Sequence, residues 1–480
     1  MHDTELAYLP ATTALAMFRA RTLSPVELLD AVIARAERVE PAVNAFTEEL
    51  YGEARDQAKI AEARYLGRDG GPRALEGLPV AVKEEQSIAG RSETSGSLLL
   101  RDNIATETHP VVERVVAAGG LVHARTTTPE FSCVSFTHSR LWGVTRNPWN
   151  LDYSPGGSSG GAGAALAAGT TTLATGSDIG GSIRIPASFC GVVGFKPPYG
   201  RVPSLPPFNL DHYCHEGPMA RTVADTVLLQ NVLTGPHPAD HASLGPAVHV
   251  PAAVTAAGMR VALAVYPGDL PVDPEVAANT RAAAQSLADA GVIVREVELS
   301  WTRAELSRAA WAHYATVFGP VVAQAEAAAP DLLNPYTREF LRQCRTGPAG
   351  TTYVEGLHFE ARIHAELAEL FRTHDALLLP TTAVPAFLAG DEYTDTVVTV
   401  DGVELGYYAE AAITVPFNMA GRCPVLSVPS GFASTGVPTG LQIVGRTYDD
   451  ATVFALAAAL ERTRPWAYGP GRHPVVTPPA

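Results

Sequence analysis

The sequence predicts an α/β protein, a sandwich of helices around a largely buried sheet, and three observations carry that expectation. Short apolar runs alternate with helical patterns over most of the 480 residues. The clearest runs, 78–82 and the stretch after Asp375 in the strand expected at 375–379, are apolar, as strands covered on both faces are. Hydrophobic residues make up 46% of the chain and charged ones only 18%, so there is apolar surface enough for one large body.

The elements follow in chain order. Ser24-Pro25-Val26-Glu27 is a capping box with proline at the first helical position. It opens a helix through Ala36 whose residues Val26, Leu29, Val32, Ile33 and Ala36 share one face. A second helical pattern over 47–65 completes an N-terminal helical segment, residues 1–66. Asp69-Gly70-Gly71-Pro72 then breaks the chain, and the apolar strand 78–82 runs into Lys83. A core segment, residues 67–230, continues with a helix over 110–118, a strand at 121–124 and a helix of small residues over 161–168. Residues 259–265, 275–290 and 292–299 make a βαβ-like unit. Residues 301–371 are mostly helical and break the alternation, as an insertion that shapes a pocket would. Strands at 375–379 and 440–444 follow, and Asp449-Asp450 caps a last helix through Val453, Leu456 and Leu460. The proline-rich stretches 203–207 and 236–251 read as surface loops, so the whole chain, 1–480, is expected to form a single domain.

Composition excludes several function classes. Fifty acidic residues against 35 Lys+Arg give a net charge of −15, with no basic run, which argues against nucleic acid and anionic membrane partners. No apolar stretch reaches about 18 residues, and the N-terminus has no basic leader. Five scattered cysteines without CxxC spacing read as reduced thiols, and the protein is expected to be cytoplasmic. His212, Cys214 and His215 lie close together but lack a distant fourth ligand for zinc, and no metal or other cofactor is expected.

The chemistry concentrates between Tyr153 and Arg184, in YSPGGSSGGAGAALAAGTTTLATGSDIGGSIR. Ser158 and Ser159 sit in a glycine bed, and Ser182 follows the Gly180-Gly181 pair. Glycines let backbone N–H groups approach a ligand closely. A tight turn after Asp178 would aim such groups one way, forming an oxyanion hole beside Ser182. The G-x-S-x-G matches in GGSSGG are not a nucleophile elbow, because NPWNLDYSP before them holds two prolines and no strand pattern. Serine needs a base, and lysine can serve. Only three lysines occur, Lys59, Lys83 and Lys196. Lys83, at the end of a buried strand, is either a base of depressed pKa or a strand-end charge facing solvent. Ser158 would then bridge Lys83 and Ser182. A Cys–Glu–Lys set built on Cys133, Glu84 and Lys83 is the weaker reading, since EFSCVSF looks like the setting of a buried, inert thiol.

These segments carry a resemblance. GLPVAVKEEQSIAG, NPWNLDYSPGGSSGGAGAALAAG, GSDIGGSIRIPASFCGVVGFKPPYGRVP, GPMARTVADTVLL and NMAGRCPVLSVPSGF with GVPTGLQIVGR are similar to the amidase signature family over most of the chain. The resemblance implies an α/β/α sandwich with a large mixed sheet covered by helices on both faces. It implies hydrolysis of a small carboxamide or acylamide, without a cofactor, and a homodimer is expected from it. By position it makes Lys83 the general base, Ser158 the bridging serine on a cis Gly157–Ser158 peptide, and Ser182 the nucleophile that forms the acyl-enzyme. The amides of Ile179, Gly180, Gly181 and Ser182 would form the oxyanion hole, with Ser159, Ser177, Asp178 and Arg184 in support. The chain departs from the family pattern at Glu84 (commonly Asp), Ser177 (commonly Thr) and Pro198 (commonly Thr).

An amidotransferase component that makes ammonia for tRNA-linked transamidation is the alternative, and the poor fit of GYYAEAAITVPFNMAGRC to that pattern argues against it. A non-catalytic scaffold is disfavoured by the presence of Lys83, Ser158 and Ser182 together. The pocket is expected to draw on 131–142, 206–215 and 301–371, with Trp142, Phe208 and Tyr213 as candidate contacts to an apolar acyl group.

Overall fold

Eleven strands pair into one mixed sheet in the computed structural model, which describes residues 3–251, 254–466, 468 and 472–477. From one edge the order is Phe46–Glu49, Leu121–Thr126, Pro79–Lys83, Leu173–Asp178, His215–Ala220 and Val193–Lys196. It continues through Val425–Phe432, Pro438–Gly445, Ala376–Pro380 and Arg260–Leu263 to Ile293–Glu296. Pro79–Lys83 lies parallel to both its neighbours, and Arg260–Leu263 lies parallel to both of its own. The pairings between these two regions are antiparallel.

All five residues of Pro79–Lys83 and of Ala376–Pro380 are buried. Successive side chains of a strand point to opposite faces, so both faces of the sheet are covered there. That is why these strands read as unbroken apolar runs. The predicted βαβ unit is present as Arg260–Leu263, the helix Pro274–Asp289 and Ile293–Glu296.

The first capping box forms as expected. Ser24 Oγ accepts from the Glu27 amide and the Glu27 carboxylate accepts from the Ser24 amide. The helix it opens, Pro25–Val43, runs well past Ala36 and carries Pro41 inside it. Residues 47–49 are a correction. They belong to the edge strand Phe46–Glu49, which pairs with Leu121–Thr126, and the helix begins only at Tyr51. The helical pattern there carries over from Tyr51–Tyr65, and tertiary pairing overrides it at the N-terminal end.

The small-residue helix Gly160–Ala168 is buried along its whole length. A Cβ at Gly161 would run into the Thr127 amide and side chain, so this helix sits against the sheet at a distance only glycine permits. Four helices, Arg303–Val317, Gly319–Ala328, Pro335–Thr346 and Tyr353–Leu370, occupy the stretch predicted helical at 301–371. No helix among the described residues is long and apolar enough to cross a membrane.

Candidate active site

Lys83 is the last residue of Pro79–Lys83, and Ser177-Asp178 end the parallel neighbour Leu173–Asp178. Parallel strands deliver their carboxyl ends to one side of a sheet, the usual place for a site in an α/β fold. Ser158 arrives there from the turn before the helix Gly160–Ala168, and Ser182 from the turn before Arg184–Cys190.

The Lys83 side chain has no solvent exposure. Its Nζ lies 2.7 Å from Ser158 Oγ, 2.9 Å from Ser177 Oγ and 3.0 Å from Glu85 Oε1. The strand-end charge facing solvent is therefore ruled out. The peptide Gly157–Ser158 is cis. Ser159 joins the two serine turns: its amide donates to the Ser182 carbonyl at 3.1 Å and its hydroxyl to the Ser177 carbonyl at 3.2 Å.

The turn that presents Ser182 is braced by a buried ion pair. Arg184 Nε and Nη2 donate to the two Asp178 carboxylate oxygens at 2.9 and 2.8 Å, and neither side chain is exposed. Arg184 also donates to Gln442 Oε1, Asn418 Oδ1 and the Thr414 carbonyl, which fills its fork of donors. Burial alone would raise the Asp178 carboxyl. The Arg184 charge and hydrogen bonds, with Asn418, outweigh it and hold the group well below the usual carboxylate range.

Asp178 Oδ1 also accepts the Gly181 amide at 2.8 Å, and Oδ2 accepts the Ile183 amide at 3.2 Å. Of the four amides expected to form an oxyanion hole, the Gly181 N–H is thus engaged by the brace. The amides of Ile179, Gly180 and Ser182 donate to no group among the described residues. Gly181 instead supplies the backbone shape: its φ is +126°, and a Cβ there would strike Thr414. Tyr314 and Thr414 pin the same turn from outside, donating to the Ile179 and Gly180 carbonyls at 3.2 and 2.6 Å.

Ser182 opens onto a cavity of about 70 Å³. Ile179, Gly180 and residues 132–135 form its inner wall, and Trp311, Tyr314, Phe318, Phe340, Tyr407 and Tyr408 supply an aromatic lining. The expected contribution from 301–371 and 131–142 is present, whereas the segment 407–415 was not anticipated. Of the three aromatic candidates, Trp142 donates to Thr94 and Tyr213 is fully buried with its hydroxyl on Glu360. Phe208 packs edge-on against Phe318, behind the lining. Cys133 borders the cavity, but burial pushes its thiol well above the ordinary value, as expected of an inert cysteine. A roomier cavity, about 430 Å³, between Trp149, Phe432 and Trp466 contains none of these groups.

Sequence reasoning missed Glu85, Asn418, Gln442 and Tyr314. Asn418 and Gln442 lie in the two C-terminal segments that carry the resemblance, so their involvement had a signal. Glu85 had the same signal, lying in GLPVAVKEEQSIAG, whereas Tyr314 had none beyond its place in a helical stretch.

Behind Lys83, Gln86 donates to Glu216 Oε2 at 2.6 Å and Ser204 to Oε1 at 3.1 Å. Burial, with the Glu85 charge adding to it, pushes the Glu216 carboxyl up to about 8. A carboxyl raised on folding contributes stability that is present below its unfolded value, about 4.3, and lost as pH rises through its folded value. Glu216→Gln is therefore expected to narrow the stability difference between about pH 5 and about pH 8 in urea denaturation. An unchanged difference would mean the group is charged in the native protein.

The comparisons with known proteins agree with this geometry. The Amidase family model matches residues 27–454. A glutamyl-tRNA(Gln) amidotransferase subunit of Synechococcus sp. (strain CC9605) is 35% identical over 471 residues, 92% of this chain and 93% of that protein. An acylamidase of Rhodococcus erythropolis is 33% identical over 496 residues, 97% and 98% of the two chains. Among solved structures, a bacterial aryl acylamidase superposes with a TM-score of 0.86 at 28% identity, covering 96% of this chain and 97% of its own. With the family model spanning most of the chain and the fold shared from end to end, the protein belongs to the amidase signature family and is a hydrolase of amide C–N bonds.

Proposed function

We propose that this chain hydrolyses an acylamide or carboxamide bearing an apolar, aromatic group, through an acyl-enzyme on Ser182. The carrying observation is the 2.7 Å contact between Lys83 Nζ and Ser158 Oγ in a site closed to solvent. The other two lysines meet no serine: Lys59 pairs with Asp56 on the surface, and Lys196 donates to main-chain carbonyls and faces His215.

In this reading Ser182 Oγ attacks the amide carbonyl carbon as its proton passes to Ser158 and the Ser158 proton passes to the Lys83 amine. The oxyanion is held by the free amides of Ile179, Gly180 and Ser182. The C–N bond then breaks, and the proton returns from Lys83 through Ser158 to the leaving nitrogen. Water attacks the ester so formed and releases the carboxylic acid and Ser182. The ring-lined cavity supports an aromatic substrate group, and the acylamidase relatives support the substrate class.

Fluorophosphonate labelling with peptide mapping tests the reading. Label is expected on the peptide holding Ser182, with a rate lower by roughly tenfold or more in Lys83→Ala. Equal labelling of the variant would remove Lys83 from the mechanism, and label on another serine would remove Ser182.

One observation favours a second reading, the 35% identity to an amidotransferase component. In that role the chain would release ammonia for a partner. The two separate on the purified chain alone, which should cleave aryl acylamides without a partner in the first reading and stay inactive on them in the second.

A further inference from the structure

Glu85 occupies the junction between Lys83 and the substrate cavity. Its Oε1 lies 3.0 Å from Lys83 Nζ and also accepts the Ser177 hydroxyl, which itself receives a hydrogen bond from Lys83. Its other oxygen, Oε2, accepts the Ser132 hydroxyl. Ser132 lines the cavity into which Ser182 opens. Phe131 and Ser132 have φ of +52° and +54°, two consecutive residues in the left-handed region without a glycine. Such a turn persists only when its surroundings hold it, and Glu85 and Thr128 are the side chains that hold Ser132. One carboxylate thus binds the lysine, the serine beside it and the strained cavity wall.

We propose that Glu85 is the counter-ion of Lys83 and the positioning residue that sets the acid limb of the reaction, coupled to the cavity wall through Ser132. The inference rests on the reading of Lys83 as the base.

The neighbouring titratable groups leave this role to Glu85 alone. Glu216, from His215–Ala220, is pushed up to about 8 by burial and by the Glu85 charge, so it is mainly uncharged at neutral pH. Burial likewise keeps His109 neutral, lowering it to about 4, and raises the Cys214 thiol well above its ordinary value. Glu84 is raised by burial, with the Arg125 charge opposing that, and its Oε1 accepts the Thr94 amide. For Glu85 itself burial acts against the charge, but Lys83 and the Ser132 and Ser177 hydroxyls outweigh it and hold the carboxyl below its usual value. The Glu85 carboxylate lies 3.0 Å from Lys83 Nζ; an adjacent negative charge stabilises positive charge on its partner, and an ammonium has no lone pair with which to receive a proton. The acidic partner therefore delays the onset of activity as pH rises, while it fixes where the lysine points.

The rate of Ser182 labelling by a fluorophosphonate, followed against pH, reads this directly and needs no knowledge of the substrate. Glu85→Gln keeps the shape of the side chain and removes its charge. Its acid limb is expected to move down by about 1 pH unit or more, whatever happens to the plateau rate. Glu85→Asp restores the charge and is expected to return the limb toward its original position. A Glu85→Gln limb that stays in place, with only the plateau lowered, would overturn the proposal and leave Glu85 a structural prop. If Lys83→Ala labels as fast as the parent, the lysine is not the base and this inference falls with that reading. If Lys83→Ala is slow and the Glu85→Gln limb is fixed, only the role of Glu85 is lost.

Discussion

Ser182→Ala is expected to lower kcat/KM on aryl acylamides by on the order of 10,000-fold while changing the unfolding free energy by less than about 1 kcal/mol. The two halves have separate origins. In the proposed mechanism, removing the nucleophile leaves only binding and the oxyanion amides to act on the amide. The Ser182 side chain lies at the cavity wall, and its backbone contacts, the Ser159 amide on its carbonyl among them, survive the change. Lys83→Ala and Ser158→Ala should each cost a comparable factor, and combining either with Ser182→Ala should cost almost nothing more, because residues that act as one unit are not additive. Steady-state kinetics on the parent, the single variants and the double variants check this. Additive losses would mean that the three side chains do not share a step.

Asp178→Ala carries the largest expected loss of stability, about 3–5 kcal/mol, because it leaves the Arg184 guanidinium buried without its counter-charge. The same change removes the acceptor for the Gly181 and Ile183 amides, so the turn holding Ser182 loses its shape as well. Activity and stability should therefore fall together, unlike Ser182→Ala. Asp178→Ala combined with Arg184→Ala should cost less than the two single changes summed, since the stranded charge is then gone. Because the Asp178 carboxyl is lowered on folding, its contribution is present above its unfolded value, about 3.9, and is lost as pH falls. Equilibrium denaturation of the single and double variants reads the coupling, and a strictly additive pair would show that the ion pair contributes nothing to the fold.

Much of the architecture was legible because local signals were strong. The unbroken apolar runs ending at Lys83 and at Leu379 announce strands buried on both faces, and the box at Ser24–Glu27 announces a helix start. Other strands carry no such signal. LATGSD at Leu173–Asp178 and HEGPMA at His215–Ala220 contain glycine, proline and charge, and their pairing comes from neighbours far along the chain. The edge strand Phe46–Glu49 is held by its hydrogen bonds to Leu121–Thr126, which outweigh a helical pattern that reaches back past Tyr51 to Thr47.

By itself the sequence determined the α/β class, the scarcity of lysine, the Gly/Ser segment with its two serine turns, and the family they resemble. The Gly/Ser segment, its serine turns and each segment of the resemblance rest on residues close together in the chain, where spacing and side-chain type speak directly, and the lysine count needs only the composition. Only the tertiary structure decided that Lys83 is sealed from solvent against Ser158, Ser177 and Glu85, that the Gly181 amide belongs to Asp178, and that rings from 311–340 and 407–408 converge on Ser182. Lys83 meets Ser158 and Ser177 from 75 and 94 positions away, and the Asn418 that braces Asp178 comes from 240 positions away. Burial and charge pairing at a site are properties of the assembled neighbours, and no local pattern encodes which distant group will supply them.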